Sequence, residues 1–268
     1  MKYDPIKKSL GIVFNKTPIL RKLFYSMLDI LLLRAWYIKK ELRLWNPKSN
    51  NLNLLDAGAG FGQYTYFMSK INKSWNIDAV DVKQEQIDDC NNFFTQINKS
   101  AQVRFQYGDL TQFVKENNYD FILSVDVMEH IEDDNAVFRN FYKSLKDGGM
   151  LLISTPSDQG GSDVHDDEDS FIDEHVRDGY NINDIIEKLK GAGFSKAEAK
   201  YSYGKPGQIS WSLSMKYPIM LLNVSKIFFI ILPVYYLITF PFSLILNYID
   251  TNKTHKTGTG LIVKAWKY

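Results

Sequence analysis

Residues 54–62 read LLDAGAGFG, and the spacing of their glycines decides the fold. Leu54 and Leu55 run into Asp56, after which Gly58, Gly60 and Gly62 alternate with small or apolar residues. A buried strand that breaks into a tight turn and then a helix is written this way. Such a loop can cradle a nucleotide, and the third glycine says which kind. The dinucleotide fingerprint spaces its glycines as G-x-G-x-x-G. Gly58 and Gly60 fit it, but the third slot holds Gln63 and the next glycine comes one residue early, at Gly62. With Asp56 two residues ahead of the first glycine, the pattern becomes D-x-G-x-G-x-G.

Outward from the loop, strands and helices alternate. Strand-like apolar runs lie at 52–56, 77–82, 103–107, 121–125 and 150–155, with helical text at 64–71, 84–97 and 135–145. Short connections between them imply βαβ units and a parallel sheet buried on both faces. Gly148 and Gly149 supply the turn into the fifth strand, a further helix over 183–189 ends at Gly191 and Gly193, and two more strands fit 197–203 and 257–267. Upstream, 18–46 reads as one helix with Leu20, Phe24, Met27, Leu28 and Leu31 as its apolar stripe. The expected fold class is therefore α/β, a seven-stranded sheet with helices on both faces. Its divisions are a basic helical cap over 1–48, a core over 49–204, an insertion over 205–256 and a final strand over 257–268.

A chain of 268 residues is long enough for one large α/β domain with additions. Its one cysteine, Cys90, excludes an internal disulfide and suits a reducing compartment, and no secretory signal pattern follows Met1. Both point to a cytoplasmic setting. The net charge of +1 hides an asymmetry. Lys2, Lys7, Lys8, Arg21, Lys22 and Arg34 make the N-terminal segment basic, 158–187 is dense in acids around Arg177, and Lys205, Lys216, Lys226, Lys253 and Lys256 are basic again. Between these last lysines, 227–249 reads IFFIILPVYYLITFPFSLILNYI, uncharged and as long as the roughly 20 residues of a membrane span.

With the later motifs in place, the chain resembles the class I S-adenosylmethionine-dependent methyltransferases, over about 52–155 and the last strand. Their first motif looks like LDAGAGFG; IDAVDV ends a second strand in Asp81, YGDL at 107–110 resembles their third-strand segment, and FILSVDVMEHIED their fourth strand and its turn. The resemblance implies a Rossmann-like sheet whose last strand is antiparallel, with S-adenosyl-L-methionine as cofactor. It implies cofactor contacts at Asp56, Gly58, Gly60, Gly62, Asp81, Val82, Gly108, Asp109, Leu110 and Val125. Asp81 would bind the ribose hydroxyls, Asp109 the adenine amino group, and Leu110 would border the ring. Read as residues alone, Asp81 and Asp109 also serve as helix caps, Met128 as packing and Phe61 as structure.

A sulfonium methyl is already activated, so in-line alignment can supply up to about 7–11 kcal/mol of the barrier and a base is needed only when the acceptor loses a proton. The fourth-strand turn resembles the E-H pair of the ubiquinone-biosynthesis O-methyltransferase-like group, which implies His130 as general base, Glu129 orienting it, and transfer to oxygen. His130 capping a helix or packing under the cofactor is the alternative. His175 and Arg177 in DEHVRDGY follow the fifth strand and are candidate acceptor contacts, or a solvated loop. The run holding His165, Asp166, Asp169, Asp173 and His175 has no fixed metal spacing, so no metal is expected.

If 227–249 crossed a bilayer once, the last strand would be left on the far side, and Pro233 and Pro241 divide the segment into short pieces. The alternatives are peripheral docking through 217–250 on the inner membrane face, a lid over the acceptor, or a homodimer contact. Flanking lysines suit an anionic membrane surface, at about 1 kcal/mol each. The sequence thus implies an enzyme that methylates a small lipophilic or lipid-linked acceptor. A soluble metabolite or glycan under a lid, and a non-catalytic cofactor-binding protein, are the other readings. No N-P-P-Y-type tetrad is present and the acceptor side is acidic, which disfavours nucleic acid.

Overall fold

In the computed structural model, which describes residues 17–45, 47, 50–160 and 176–268, seven strands form one sheet. They are β1 (Asn53–Ala57), β2 (Asn76–Asp81), β3 (Val103–Tyr107), β4 (Tyr119–Val125), β5 (Leu145–Pro156), β6 (Lys196–Ser202) and β7 (Gly260–Trp266). Their order is β3-β2-β1-β4-β5-β7-β6. β7 runs antiparallel to both β5 and β6, and every other pairing is parallel.

Side chains alternate across each strand. Leu54 and Leu123 therefore enter a core on one face, while Leu55 and Ile122 enter a second core on the other. The first core is covered by α1 (Pro18–Leu31), α2 (Leu33–Leu44), α3 (Gln63–Ile71) and α4 (Gln84–Gln96), through Tyr25, Ile38, Met68 and Phe94. The second is covered by α5 (Asp134–Ser144) and α6 (Ile182–Gly191), through Phe138 and Leu189. This is the expected fold, with helices on both faces.

Two local expectations need correction. Residues 18–46 are not one helix. Leu32 is extended, at φ −91° and ψ 111°, and divides the segment into α1 and α2. The reason is tertiary: the break lets α1 turn Arg21 and Tyr25 inward while α2 buries Tyr37 and Ile38. The stripe assigned to α1 is only partly inward, and Met27 is 42% exposed beside Ile19, Leu23 and Ile30.

The second correction concerns proline. After β6 come α7 (Lys205–Trp211), a π-helical turn (Ser212–Lys216), α8 (Tyr217–Val224), a 3₁₀ turn (Lys226–Ile230) and α9 (Leu232–Asn252). α9 is one continuous helix of 21 residues. Pro233 sits in its first turn, where a missing N–H costs nothing, and Pro241 is carried inside it. By length and composition α9 suffices to cross a membrane, yet the chain returns from it to complete the sheet as β7.

Candidate active site

The carboxyl ends of β1, β2 and β4 converge on the glycine loop, where open α/β sheets bind ligands. Gly58, Gly60 and Gly62 have φ of +78°, +50° and +75°, a conformation that L side chains avoid. Space reinforces the demand at Gly58, where a Cβ would lie 2.3 Å from Val127 Cγ2. Gly60 is different: nothing lies nearer its Cβ position than Gln86 Oε1 at 3.8 Å, so the loop is open there. The turn is fixed from below. Gly58 and Ala59 donate to the Val80 carbonyl at 2.8 and 3.0 Å, and buried Asp56 accepts from the Thr65 hydroxyl of α3. Asp56 therefore supports the turn from beneath, through Thr65. Burial, more than the nearby Asp81 charge, pushes its carboxyl up to about 7.

Asp81 closes β2 with its carboxylate aimed at the loop. Its Oδ2 accepts from Gly60 N–H at 2.8 Å and its Oδ1 from Lys83 N–H at 2.9 Å. Each oxygen keeps a lone pair for a hydroxyl donor. The helix-cap alternative is not what forms, because the residue preceding α4 is Lys83, whose side chain caps nothing. Val82, next to it, is 51% exposed, and Leu110 is buried. Gly108 is needed for close approach, since a Cβ there would sit 2.7 Å from Val80 Cγ1. Asp109 caps no helix, since none lies between β3 and β4; its Oδ1 closes a local turn by accepting from the N–H and hydroxyl of Thr111, while the residue stays exposed at the sheet edge. An open loop at Gly60, a carboxylate aimed at that loop and flanking apolar side chains fit an adenosine-type cofactor.

Past Val125, Asp126 adopts a φ of +51° and pairs with Arg34 of α2. The Asp126 charge holds the Arg34 guanidinium above its usual pKa. A 3₁₀ turn, Met128–His130, follows. Glu129 is buried and its Oε2 accepts from the Thr155 hydroxyl at 3.1 Å, whereas His130 is exposed. Desolvation first, then Asp126, raises the Glu129 carboxyl to about 8. A carboxyl raised on folding is stabilising when protonated, so stability should fall as pH rises from about 4.5 toward 8. Glu129→Gln should flatten that fall by up to about 1.4 kcal/mol per pH unit, read from urea unfolding across the window. Asp56 will leave a residual slope below about pH 7.

Arg177, a candidate acceptor contact, is held within the chain: it donates to the Met128 carbonyl at 2.7 Å and the Glu132 carbonyl at 3.1 Å, and it meets Asp134 at 3.2 Å. It clamps the turn that carries Glu129 and His130. His175 and the candidate metal set from His165 onward lie outside the described residues. Among the described residues, no group of three or more His, Cys, Asp or Glu is placed to hold a metal.

The sequence reading missed the clamp from α1. Arg21, buried, donates to the Phe61 carbonyl and the Asp89 carbonyl, both at 3.1 Å, and to Tyr25 Oη at 2.8 Å. Tyr25 Oη itself donates to the Phe61 carbonyl. Phe61 lies between two left-handed glycines, so α1 fixes the loop through the Phe61 carbonyl. The signal was available: Arg21 and Tyr25 are four apart, on one face of the helix. Arg21→Met keeps the stem but deletes the donors. Cofactor affinity should drop about tenfold or more, as befits a charge-assisted hydrogen bond, measured by calorimetric titration.

Residues 24–199, well over half of the chain, match the model of a family described as a methyltransferase domain. The chain belongs to that methyltransferase-domain family. The domain's cofactor is S-adenosylmethionine, which the loop, Asp81 and Val82 fit. A phosphoethanolamine N-methyltransferase 1 of Triticum aestivum is 35% identical over 133 residues, 42% of this chain and 25% of that protein. A ubiquinone biosynthesis O-methyltransferase of Rickettsia bellii is 25% identical over 123 residues, 46% of this chain and 50% of that one. The structure of phosphoethanolamine N-methyltransferase 2 of Haemonchus contortus, in complex with S-adenosyl-L-methionine, shares the fold. Its TM-score is 0.61, with 19% identity, over 91% of this chain and 60% of that one. The chain spans only 25–29% of the length of the first curated relatives it matches.

Proposed function

We propose that the chain methylates a small lipophilic or lipid-linked acceptor, at oxygen, at the inner face of a membrane. One observation carries this: the apolar arm of α7–α9 is rooted beside the catalytic edge. Tyr203, at the end of β6, accepts from the Arg34 backbone N–H at 2.9 Å, and Arg34 pairs with Asp126 at the end of β4. Tyr37 of the same α2 donates to Asp250 of α9 at 2.6 Å.

In this reading Gly58, Gly60, Gly62 and Gly108 let the backbone approach the cofactor. Asp81 takes its ribose hydroxyls, Val82, Leu110 and Val125 flank it, and Asp109 meets the adenine amino group. When bound, the cofactor supplies an activated methyl group. His130 takes the acceptor's proton, while Glu129 and Arg177 hold the turn that positions it. His130→Ala should lower kcat about 10²–10⁴-fold at little change in KM.

The relatives that methylate phosphoethanolamine favour a second reading, transfer to nitrogen on a phosphorylated amine. A phosphate would need spare cations, and among the described residues at this edge Arg34 and Arg177 are engaged with Asp126 and with Asp134 and two carbonyls. Incubation with methyl-labelled cofactor and a total cell extract, then phase partition, decides between them. Label in an O-methyl product of the organic phase is expected. Label confined to water-soluble amines would overturn the oxygen and lipid assignment together.

A further inference from the structure

We infer that residues 212–252 form a monotopic arm that docks into one leaflet of an anionic membrane without crossing it; this rests on the membrane reading above. The decisive feature is an inverted helix. An α-helix on an aqueous protein surface turns its apolar stripe inward. α9 does the opposite: Ser243, Asn247, Asp250 and Thr251 are its buried residues, while Leu237, Phe242 and Ile245 are 78%, 62% and 59% exposed. Polar side chains four and seven apart thus make the inward seam. Asp250 receives Gly207 N–H at 2.8 Å as well as Tyr37, and Ser210 of α7 donates to the Ser243 carbonyl at 3.1 Å. The apolar outer face continues through Met220, Phe229 and Ile230, each more than half exposed. Singly exposed apolar residues are ordinary, whereas a contiguous face of this kind marks a contact surface.

Charge identifies the occupant. From 205 to 256 the sequence carries Lys205, Lys216, Lys226, Lys253 and Lys256 against one acid, Asp250, and that acid is fully buried. The surface offered is apolar with basic residues and no exposed carboxylate, the composition of an interfacial element on anionic lipid. Each lysine near such a surface adds about fivefold to partition.

Depth follows from how far the arm is held. Tyr235 and Tyr236 donate to the Leu213 and Ser214 carbonyls at 2.7 and 2.9 Å, which ties the start of α9 to the π-helical turn. Beyond that tie the 8 residues of α8 reach about 12 Å, against a hydrocarbon core of about 30 Å. The tied tyrosines suit the headgroup level. The C-terminal half of α9 is fixed to α2 and α7, so its length is not free to cross.

The test attaches an environment-sensitive fluorophore at Phe229→Cys, Cys90 being buried. Vesicles of phosphatidylcholine with and without phosphatidylglycerol carry nitroxide quenchers at shallow or deep positions. Expected are quenching within the outer leaflet, partition at least about tenfold stronger with the anionic lipid, and about tenfold loss in an Ile230→Asp variant whose melting temperature is unchanged. A label that stays aqueous, partition indifferent to lipid charge, reaction of the unlabelled Phe229→Cys protein with a thiol reagent trapped inside the vesicle, or dimers shielding the label in lipid-free solution would each overturn it. Methyl transfer to extracted lipid in detergent is scored separately, so failure of docking and failure of the acceptor reading are told apart.

Discussion

Gly58→Ala is expected to abolish cofactor binding and to lower the melting temperature in the same protein. Its Cβ would stand 2.3 Å from Val127 Cγ2, on a residue whose φ is +78°. Overpacking of this kind costs about 1–3 kcal/mol, and the left-handed conformation about 1–2 kcal/mol more. The turn must move away from Val127, which carries the loop off the cofactor. Gly60→Ala supplies the contrast. Its Cβ meets nothing within 3.8 Å, so only the backbone term remains and stability should fall by about 1 kcal/mol. That Cβ projects into the open side of the loop, and binding should still suffer by about tenfold or more. Thermal unfolding together with titration of S-adenosylhomocysteine separates the two; unchanged binding in Gly58→Ala would remove the loop from the site.

Asp81→Ala should cost about 10²–10⁴-fold in cofactor affinity. The change deletes two acceptors that orient the loop, for Gly60 N–H and Lys83 N–H, together with the lone pairs proposed above for the ribose hydroxyls. Charge-assisted hydrogen bonds contribute about 1.5–3 kcal/mol each, and two lost together give that range. Asp81→Asn retains one carbonyl acceptor and should fall between. Were Asp81 only a turn residue, the alanine variant would lose about 1 kcal/mol of stability and bind as before. Calorimetric titration alongside thermal unfolding reads both outcomes.

The central strands were legible because β1 and β4 are apolar runs buried on both faces, whereas the edge strand β3, VRFQY, alternates between buried and exposed residues. The glycine loop was legible for a different reason. Positive φ admits few residue types, so Gly58, Gly60 and Gly62 record the turn directly. Residues whose place depends on distant chain were not. Nothing around Leu32 announces a helix break, since it arises from what α1 and α2 each pack against. Arg177 reads as a site cation until its guanidinium is seen between the Met128 and Glu132 carbonyls. Pro241 reads as a stop, yet α9 continues through it. Asp56 belongs to the same group, because a carboxylate ahead of the glycines can face up to a ligand or down to Thr65.

The central claim is that an adenosine-bearing sulfonium cofactor sits where β1 gives way to α3. Isothermal titration of the intact chain with S-adenosylmethionine and S-adenosylhomocysteine, beside NAD and NADP, tests it most directly. Single-site heats for the first two and none for the nicotinamide dinucleotides are expected. Heat from a dinucleotide, with silence from both sulfur nucleosides, would contradict it.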